Sequence, residues 1–308
     1  MKKLLSMLLA FVMLASITVG VDLSAYAGDP IFGYDFSEQN GVVSFTDAKE
    51  EGKDFVMIRL GYFNHLDKKF WENIEKAYKA KMDFGVYLYS YAYSLEEAQI
   101  EANFVIDTLS DERFTKYADY FTLPVAYDLE ESKMAPYGKS QITKQMTIFC
   151  DTIKAAGYTP MVYANLNWLT NYIDVNTIKA KDYKLWYAYW VNSPDFSKPI
   201  QVGSTNIYAD MWQYLGGENN KYDENVLFDT DVLVKRLDCY HSYLAEKIDA
   251  TCFDEGYTIH TCKNCGNTYN TDYVKAHTIS KSITPATRTA EGKIVETCTV
   301  CNKTISTT

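Results

Sequence analysis

LPVAYDLE, residues 123–130, is an apolar run that ends in two acids. Because residues two apart on a β-strand point to the same face, the run predicts a buried strand that carries Asp128 and Glu130 on one side. Val125, Tyr127 and Leu129 are then expected to face a layer of helices. The stretch therefore predicts a strand that delivers two carboxylates side by side at its end.

Two carboxylates held this close raise the pKa of one of them, and such a carboxyl can donate a proton near neutral pH. Glycoside cleavage uses a pair of this kind. Taken alone the motif is weak, because most acidic residues simply lie exposed on the surface. Two acids in this pattern therefore indicate a catalytic site only together with further motifs in the chain.

The strand belongs to a series in which short apolar runs alternate with helical segments, from Phe32 to about Val234. The other predicted strands are Phe55–Leu60, Phe84–Tyr91, Pro160–Ala164 and Lys184–Tyr189. The predicted helices are Phe70–Lys81, one opened by the capping box that begins at Ser94, and Ser140–Ala156, which is followed by Gly157. This alternation predicts the α/β class, with an irregular TIM-like β/α barrel followed by a small Cys-rich repeat region. Catalytic side chains are expected at the carboxyl ends of the strands.

Three segments are predicted. Residues 1–27 combine a charged start, an apolar run and a small-x-small site, which predicts a signal peptide and a secreted, extracellular protein. An uncleaved membrane anchor is the alternative for this run. Residues 28–237 are the predicted barrel domain, and residues 238–308 contain two repeats, about 241–276 and 277–308. No stable membrane span is expected after signal cleavage.

The distribution of charge argues against nucleic acid as a partner. The chain has a net charge of −10, and residues 240–308 carry seven Lys/Arg and seven Asp/Glu, so the excess of acid lies in the barrel segment. Nucleic-acid binding requires clustered Lys and Arg. An acidic barrel is compatible with a neutral glycan.

Eight short motifs occur in an order typical of one enzyme family. They are Gly33–Ser37, Phe55–Tyr62, Gly85–Ala92, Tyr127–Glu130, Met161–Asn165, Leu185–Ala188, Trp212–Tyr214 and a closing Asp231. Over residues 31–235 the chain therefore resembles the family 25 glycoside hydrolases, which are N-acetylmuramidases, or bacterial and phage-type lysozymes. Each motif is ordinary by itself, and their order is specific.

The resemblance implies a peptidoglycan hydrolase that cleaves the β-1,4 bond between N-acetylmuramic acid and N-acetylglucosamine and needs no cofactor for catalysis. By motif, Glu130 is the general acid, and Asp128 assists by orienting the acetamido group or stabilising the developing positive charge. Asp35 and Asp231 complete an acidic ring. Retaining, inverting and substrate-assisted routes all stay open.

The same resemblance implies that peptidoglycan glycan strands contact a set of mostly aromatic side chains. These candidates are Tyr62, Tyr91, Tyr163, Trp186, Trp212 and Arg59. Each aromatic residue is equally expected in core packing. The family usually closes with Asp-Leu-Asn, where this chain has Asp231-Val232-Leu233, so Asp229 is a rival of Asp231.

A non-catalytic barrel that binds cell-wall glycan is the competing function. The acids at Asp35, Asp128 and Glu130 favour the enzyme. A chitinase-like hydrolase ranks last, because Pro124 and Ala126 occupy places where further Asp residues would be expected.

Seven cysteines in an exported chain raise the question of disulfides or a metal. In the first repeat the predicted ligands of a structural zinc ion are His241, Cys252, Cys262 and Cys265. Disulfides within each Cys-x-x-Cys are the alternative. The second repeat contains Cys298-x-x-Cys301, but Arg288 stands 36 residues after Cys252, so it lacks a fourth ligand of its own.

The two repeats resemble Cys-containing tandem modules at the ends of surface proteins of anaerobic Gram-positive bacteria. The resemblance implies attachment to the cell wall or to a surface partner through residues 240–308. A simple spacer is the alternative.

Overall fold

The computed structural model describes residues 30–216, 221–228, 243–263, 266 and 268–307. The first part of the chain forms one mixed sheet. Its strands are β1 (Ile31–Phe36), β2 (Phe55–Tyr62), β3 (His65–Leu66), β4 (Asp83–Tyr89), β5 (Phe121–Asp128), β6 (Pro160–Asn165), β7 (Lys184–Ala188), β8 (Met211–Leu215) and β9 (Asp223–Leu227). The helices are α1 (Phe45–Glu50), α2 (Phe70–Ala80), α3 (Leu95–Leu109), α4 (Gly138–Ala155), α5 (Leu166–Asn171) and α6 (Val175–Ala180), with 3₁₀ helices at Glu38–Asn40, Glu112–Tyr120 and Ser132–Tyr137.

Eight of these strands close a barrel, which confirms the predicted irregular TIM-like β/α fold. The strand order is β1-β9-β8-β7-β6-β5-β4-β2-β3, and pairing of β1 with β2 completes the ring. Neighbours from β1 through β2, β4, β5, β6 and β7 to β8 are parallel, whereas β9 runs antiparallel to both β8 and β1. The reversed β9 is the main departure from a regular barrel.

The barrel interior changes from apolar to polar along its axis. Side chains such as Phe55, Met57 and Met211 fill the lower part and are fully buried. Because the side chains of a strand alternate between its two faces, the intervening residues pack outward against the helices. Val125, Tyr127 and Leu129 belong to that outer core, as the sequence predicted.

Local signals set the helix boundaries. The Ser94 hydroxyl accepts a hydrogen bond from the Glu97 backbone N–H (3.1 Å), which opens α3 at the predicted place. The Glu97 carboxylate accepts from the N–H of Tyr93 (2.6 Å) rather than from Ser94, so only half of the predicted capping box forms. Helix α2 ends where Lys81 adopts a left-handed conformation (φ 54°).

The last part of the chain forms two small antiparallel sheets. The first consists of β10 (Tyr243–Ile248), β11 (Gly256–Cys262) and β12 (Thr268–Val274), and the second of β13 (Ile279–Thr284), β14 (Lys293–Cys298) and β15 (Thr304–Thr307). The first sheet contacts the barrel, where the Tyr243 hydroxyl donates to the backbone oxygen of Ala156 (2.7 Å). All side chains of β13 are exposed, so the second sheet has little apolar core.

The predicted signal peptide, residues 1–27, lies outside the described residues. Within the part of the chain that the structure describes, we find no helix of the length and apolar character needed to span a bilayer.

Candidate active site

A cavity of about 600 Å³ opens at the carboxyl ends of the parallel strands. Asp35, Asp128 and Glu130 line it together, as the sequence predicted. Asp35 lies near the end of β1, and Asp128 is the last residue of β5. Parallel strands bring residues that are far apart in sequence to one end of the barrel. Arg59, Tyr163 and Trp186, predicted to contact sugars, also line this cavity.

Asp223 is a fourth acid in the cavity, and it was not predicted. It is the first residue of β9 and pairs directly with Asp35 on β1. Because β9 is antiparallel, its beginning lies at the same end of the barrel as the ends of the other strands. With all strands taken as parallel, the fourth acid was expected further along the chain, at Asp231 or its rival Asp229, which both lie outside the described residues.

Two amides fix the position of the Asp35 carboxylate. Its Oδ2 accepts hydrogen bonds from Gln213 Nε2 (2.9 Å) and Asn225 Nδ2 (2.8 Å). Gln213 Oε1 in turn accepts from the Tyr163 hydroxyl (3.0 Å), and Asn225 Oδ1 accepts from Trp186 Nε1 (2.8 Å). Tyr163 and Trp186 therefore line the cavity and also belong to the buried hydrogen-bond network that holds Asp35. Gln213 lies within the Trp212–Tyr214 motif but was given no role, and Asn225 was missed because an isolated amide carries no recognisable pattern.

The acids raise one another's pKa values. Burial, and then the negative charge of Asp223, raise the pKa of Asp35 to about 7. Burial and the charges of Glu130 and Asp35 hold the pKa of Asp128 well above its usual range. The pKa of Glu130 is raised by burial, by Asp223 and by Glu131. The site can thus keep a proton on a carboxyl at a pH where exposed acids are ionised.

Asp128 offers an unused acceptor to the cavity. Its side chain is only 4% exposed, and its Oδ1 has no hydrogen-bond partner among the described residues. A buried carboxylate oxygen is costly without a partner, so it is suited to accept a hydrogen bond from a ligand. The nearby Arg59 is held in place by Asp67, whose Oδ2 accepts from Arg59 Nε (2.8 Å).

Three predicted sugar contacts lie away from the cavity wall. Tyr62 and Tyr91 pack edge to face, with ring centroids 6.2 Å apart, beside the cavity residue Tyr89. Trp212 lies on the outer face of β8, next to Phe196, because its neighbour in sequence, Gln213, takes the inward position. Tyr62 and Tyr91 can still border a bound glycan, whereas Trp212 belongs to the packing outside the barrel.

Trp190 is a further aromatic residue near the mouth of the cavity, and it was not predicted. Its indole Nε1 donates to Gln213 Oε1 (3.1 Å), while the side chain is 53% exposed. An aromatic ring that is held at one edge by a hydrogen bond and is otherwise exposed to solvent is suited to contact sugars. It lies two residues after the end of β7, which is the signal that could have identified it.

Glu101 is a buried acid beneath the site. Its carboxylate accepts hydrogen bonds from the hydroxyls of Tyr127 (2.5 Å) and Ser90 (2.9 Å) and from the N–H of Tyr91 (2.7 Å). It therefore ties the segment after β4 to β5, which carries Asp128. Burial raises its pKa to about 7.

We expect Glu101 to make folding stability depend on pH. Because its pKa in the folded chain lies above that of the unfolded chain, its contribution is fully present below about pH 4.5 and is lost as the pH rises through about 7. Glu101→Gln should therefore raise the free energy of unfolding relative to the unmodified protein at pH 8, by roughly 3 kcal/mol at most, and should change it little near pH 5. Urea unfolding at both pH values measures this difference.

Glu96→Gln, an exposed acid of the same helix, is the control for this experiment. It should change the free energy of unfolding little at either pH. Equal stability changes at pH 5 and pH 8 in Glu101→Gln would contradict the raised pKa.

The family is decided by sequence comparison. The model of the glycosyl hydrolases family 25 matches residues 34–221, more than half of the chain. The chain belongs to glycosyl hydrolases family 25. It is therefore a glycoside hydrolase, as predicted. The family 25 match covers β1 through β8 and includes Asp35, Asp128 and Glu130. No curated protein matches the chain.

Solved structures share this family 25 fold. The modular autolysin LytC from Streptococcus pneumoniae, in complex with a synthetic peptidoglycan ligand, is similar with a TM-score of 0.52 and 25% identity, over 64% of this chain and 46% of that chain. The match thus spans less than half of LytC. The bacterial lysozyme from Streptomyces coelicolor has a TM-score of 0.51 and 20% identity, over 69% of this chain and 98% of that chain. The latter similarity shows the fold alone.

Proposed function

We propose that this family 25 chain is an exported lysozyme that cleaves the β-1,4 bond between N-acetylmuramic acid and N-acetylglucosamine in peptidoglycan. The observation that carries the proposal is the group formed by Asp128, Glu130 and Asp35 in one cavity at the barrel mouth. The similar structure of LytC was solved with a peptidoglycan ligand, which supports the same class of substrate here.

In the proposed mechanism, Glu130 donates its proton to the glycosidic oxygen as the bond to the anomeric carbon breaks. A water molecule then forms the new bond to that carbon and returns a proton to Glu130, which completes the hydrolysis. Its raised pKa keeps that proton available. The unpartnered Oδ1 of Asp128 accepts the N–H of the substrate acetamido group, which orients the acetamido oxygen toward the anomeric carbon. Asp35, fixed by its two amide donors, adds negative charge that stabilises the positive charge developing on the sugar.

The proposal also covers location and attachment. Residues 1–27 would direct export, residues 28–237 would carry catalysis, and residues 238–308 would attach the enzyme to the cell wall or to a surface partner. Export is tested by the N-terminal sequence of the protein recovered from the medium, which should begin near Gly28.

Digestion of purified peptidoglycan tests the activity. Fragments are reduced with borohydride and analysed by mass spectrometry. Reduced muramic acid ends are expected, because the proposed cleavage frees the anomeric carbon of that sugar. Reduced glucosamine ends would identify a glucosaminidase, and binding without cleavage would favour the glycan-binding barrel.

We expect Asp223 to set the alkaline limit of activity. Since Glu130 must be protonated to act, activity falls as the pH rises through its raised pKa. Asp223→Asn removes a negative charge that raises this pKa, so the alkaline limb of kcat/KM should move to lower pH. A pH profile of kcat/KM measures the shift.

Glu112→Gln is the matched control for the pH profile. Glu112 is exposed and begins the 3₁₀ helix that precedes β5, at the opposite end of the barrel from the cavity. It should leave the profile in place. An unchanged profile in Asp223→Asn would show that Asp223 does not act on the proton donor.

A further inference from the structure

Four side chains from both repeats converge at one point beside the second small sheet. Cys252 lies between β10 and β11 of the first repeat, whereas His277, Cys298 and Cys301 belong to the second. One ligand atom of each residue lies within 4.8 Å of all the others. The cluster contains no carboxylate, and it is far in sequence from the catalytic acids.

The separations fit a shared metal ion. Cys252 Sγ is 3.5 Å from Cys301 Sγ, and Cys298 Sγ is 3.5 Å from His277 Nδ1. A tetrahedral zinc ion with bonds of about 2.3 Å to sulfur and about 2.0–2.1 Å to nitrogen separates its ligand atoms by roughly 3.5–3.8 Å. A disulfide between Cys252 and Cys301 would use two of the four groups and would leave the convergence of His277 and Cys298 without a reason.

The backbone around Cys298 forms a tight turn that brings its thiol and that of Cys301 into the cluster. The N–H of Cys301 points at Cys298 Sγ (3.5 Å), as in a tight Cys-x-x-Cys turn. Asn302 completes the turn with a positive φ of 57°, and its N–H donates to the backbone oxygen of Cys298 (3.0 Å).

Backbone pairing also brings His277 to the loop of the first repeat. The His277 N–H donates to the backbone oxygen of Thr251 (2.8 Å), the residue before Cys252. The Thr299 N–H donates to the oxygen of Thr278 (2.9 Å), which places the Cys-x-x-Cys turn next to His277. Two separate backbone contacts thus hold ligands from both repeats together.

The cluster differs from the ligand set expected from sequence. That set took all four ligands from the first repeat, and two of them, His241 and Cys265, lie outside the described residues. In the structure Cys252 instead joins the second repeat, and Cys262 is buried at the end of β11 outside the cluster. Arg288 stands in the second repeat where the first repeat has Cys252, so the second repeat has only three ligands of its own. The first repeat supplies the missing thiol.

We propose that Cys252, His277, Cys298 and Cys301 bind one structural zinc ion that fastens the second repeat to the first. Three thiolates and one imidazole fill a tetrahedral site and leave no open position for a substrate or water. The exposed side chains of β13 supply little apolar stabilisation, so a metal can replace the core that so small a sheet lacks.

Metal content and cobalt spectra of the purified chain test the proposal. The amount of zinc bound per chain is measured by inductively coupled plasma mass spectrometry. The zinc is then replaced by Co²⁺, whose absorption bands identify tetrahedral thiolate coordination. Cys298→Ser should lose one equivalent of metal. Cys150→Ser, which changes a thiol buried in the barrel, should keep the full content.

His277→Cys distinguishes ligation from a folding defect. It keeps four ligands, so the metal should stay bound while the thiolate-to-cobalt absorption increases by the intensity of one thiolate. An unchanged cobalt spectrum in His277→Cys, full metal content in Cys298→Ser, or a Cys252–Cys301 disulfide in protein purified with zinc would each overturn the proposal.

Discussion

Glu130→Gln is expected to lower kcat/KM on peptidoglycan by about 10²–10⁴-fold, the usual contribution of a general acid. Gln has the same shape as Glu but cannot donate an acidic proton to the glycosidic oxygen. The fold should be unchanged, because no described contact of the barrel core depends on the Glu130 charge. Release of reducing ends from purified peptidoglycan measures the loss, and thermal unfolding measures the fold.

The adjacent acid provides the control for Glu130. Glu131→Gln changes the same charge one residue away, outside the cavity, and a Gln oxygen can still accept the hydrogen bond from the Lys133 N–H. This variant should keep most of its activity at acidic pH, where Glu130 stays protonated without the charge of Glu131. Near-normal turnover in Glu130→Gln would show that Glu130 is not the proton donor.

Asp128→Asn is expected to lower kcat/KM by about 10²–10³-fold, the usual effect of removing one group that stabilises a transition state. The reason differs from that for Glu130. An Asn side chain removes the negative charge of Asp128 and presents an N–H₂ group where the buried Oδ1 would accept from the acetamido group.

An activated substrate separates the two roles. A nitrophenol leaves without protonation, so nitrophenyl glycosides of the glycan should restore much of the rate of nitrophenol release in Glu130→Gln. These substrates should not restore the rate of Asp128→Asn, because the acetamido group must still be oriented. Equal recovery of the rate in both variants would contradict the separate roles proposed for Asp128 and Glu130.

The sequence by itself determined the barrel and the central acids. Alternating apolar runs and helices predict parallel strands with helical crossovers, and the period of two along β5 places Asp128 and Glu130 on one face. Both inferences are local, because periodicity depends only on residues a few positions apart. The family 25 motifs around Asp35 and Arg59 extended the same reasoning to the other strands.

Only the tertiary structure decided the contacts that depend on strand direction and on distant pairing. The antiparallel course of β9 brings Asp223 opposite Asp35, a position that no local pattern specifies. Likewise Cys252 meets Cys298 and Cys301 because the backbone of His277 pairs with that of Thr251, although ligands nearer to Cys252 in sequence were expected. The sequence specifies which side chains each strand presents, whereas the closure of the barrel sheet and the packing of the last part of the chain decide which of them meet.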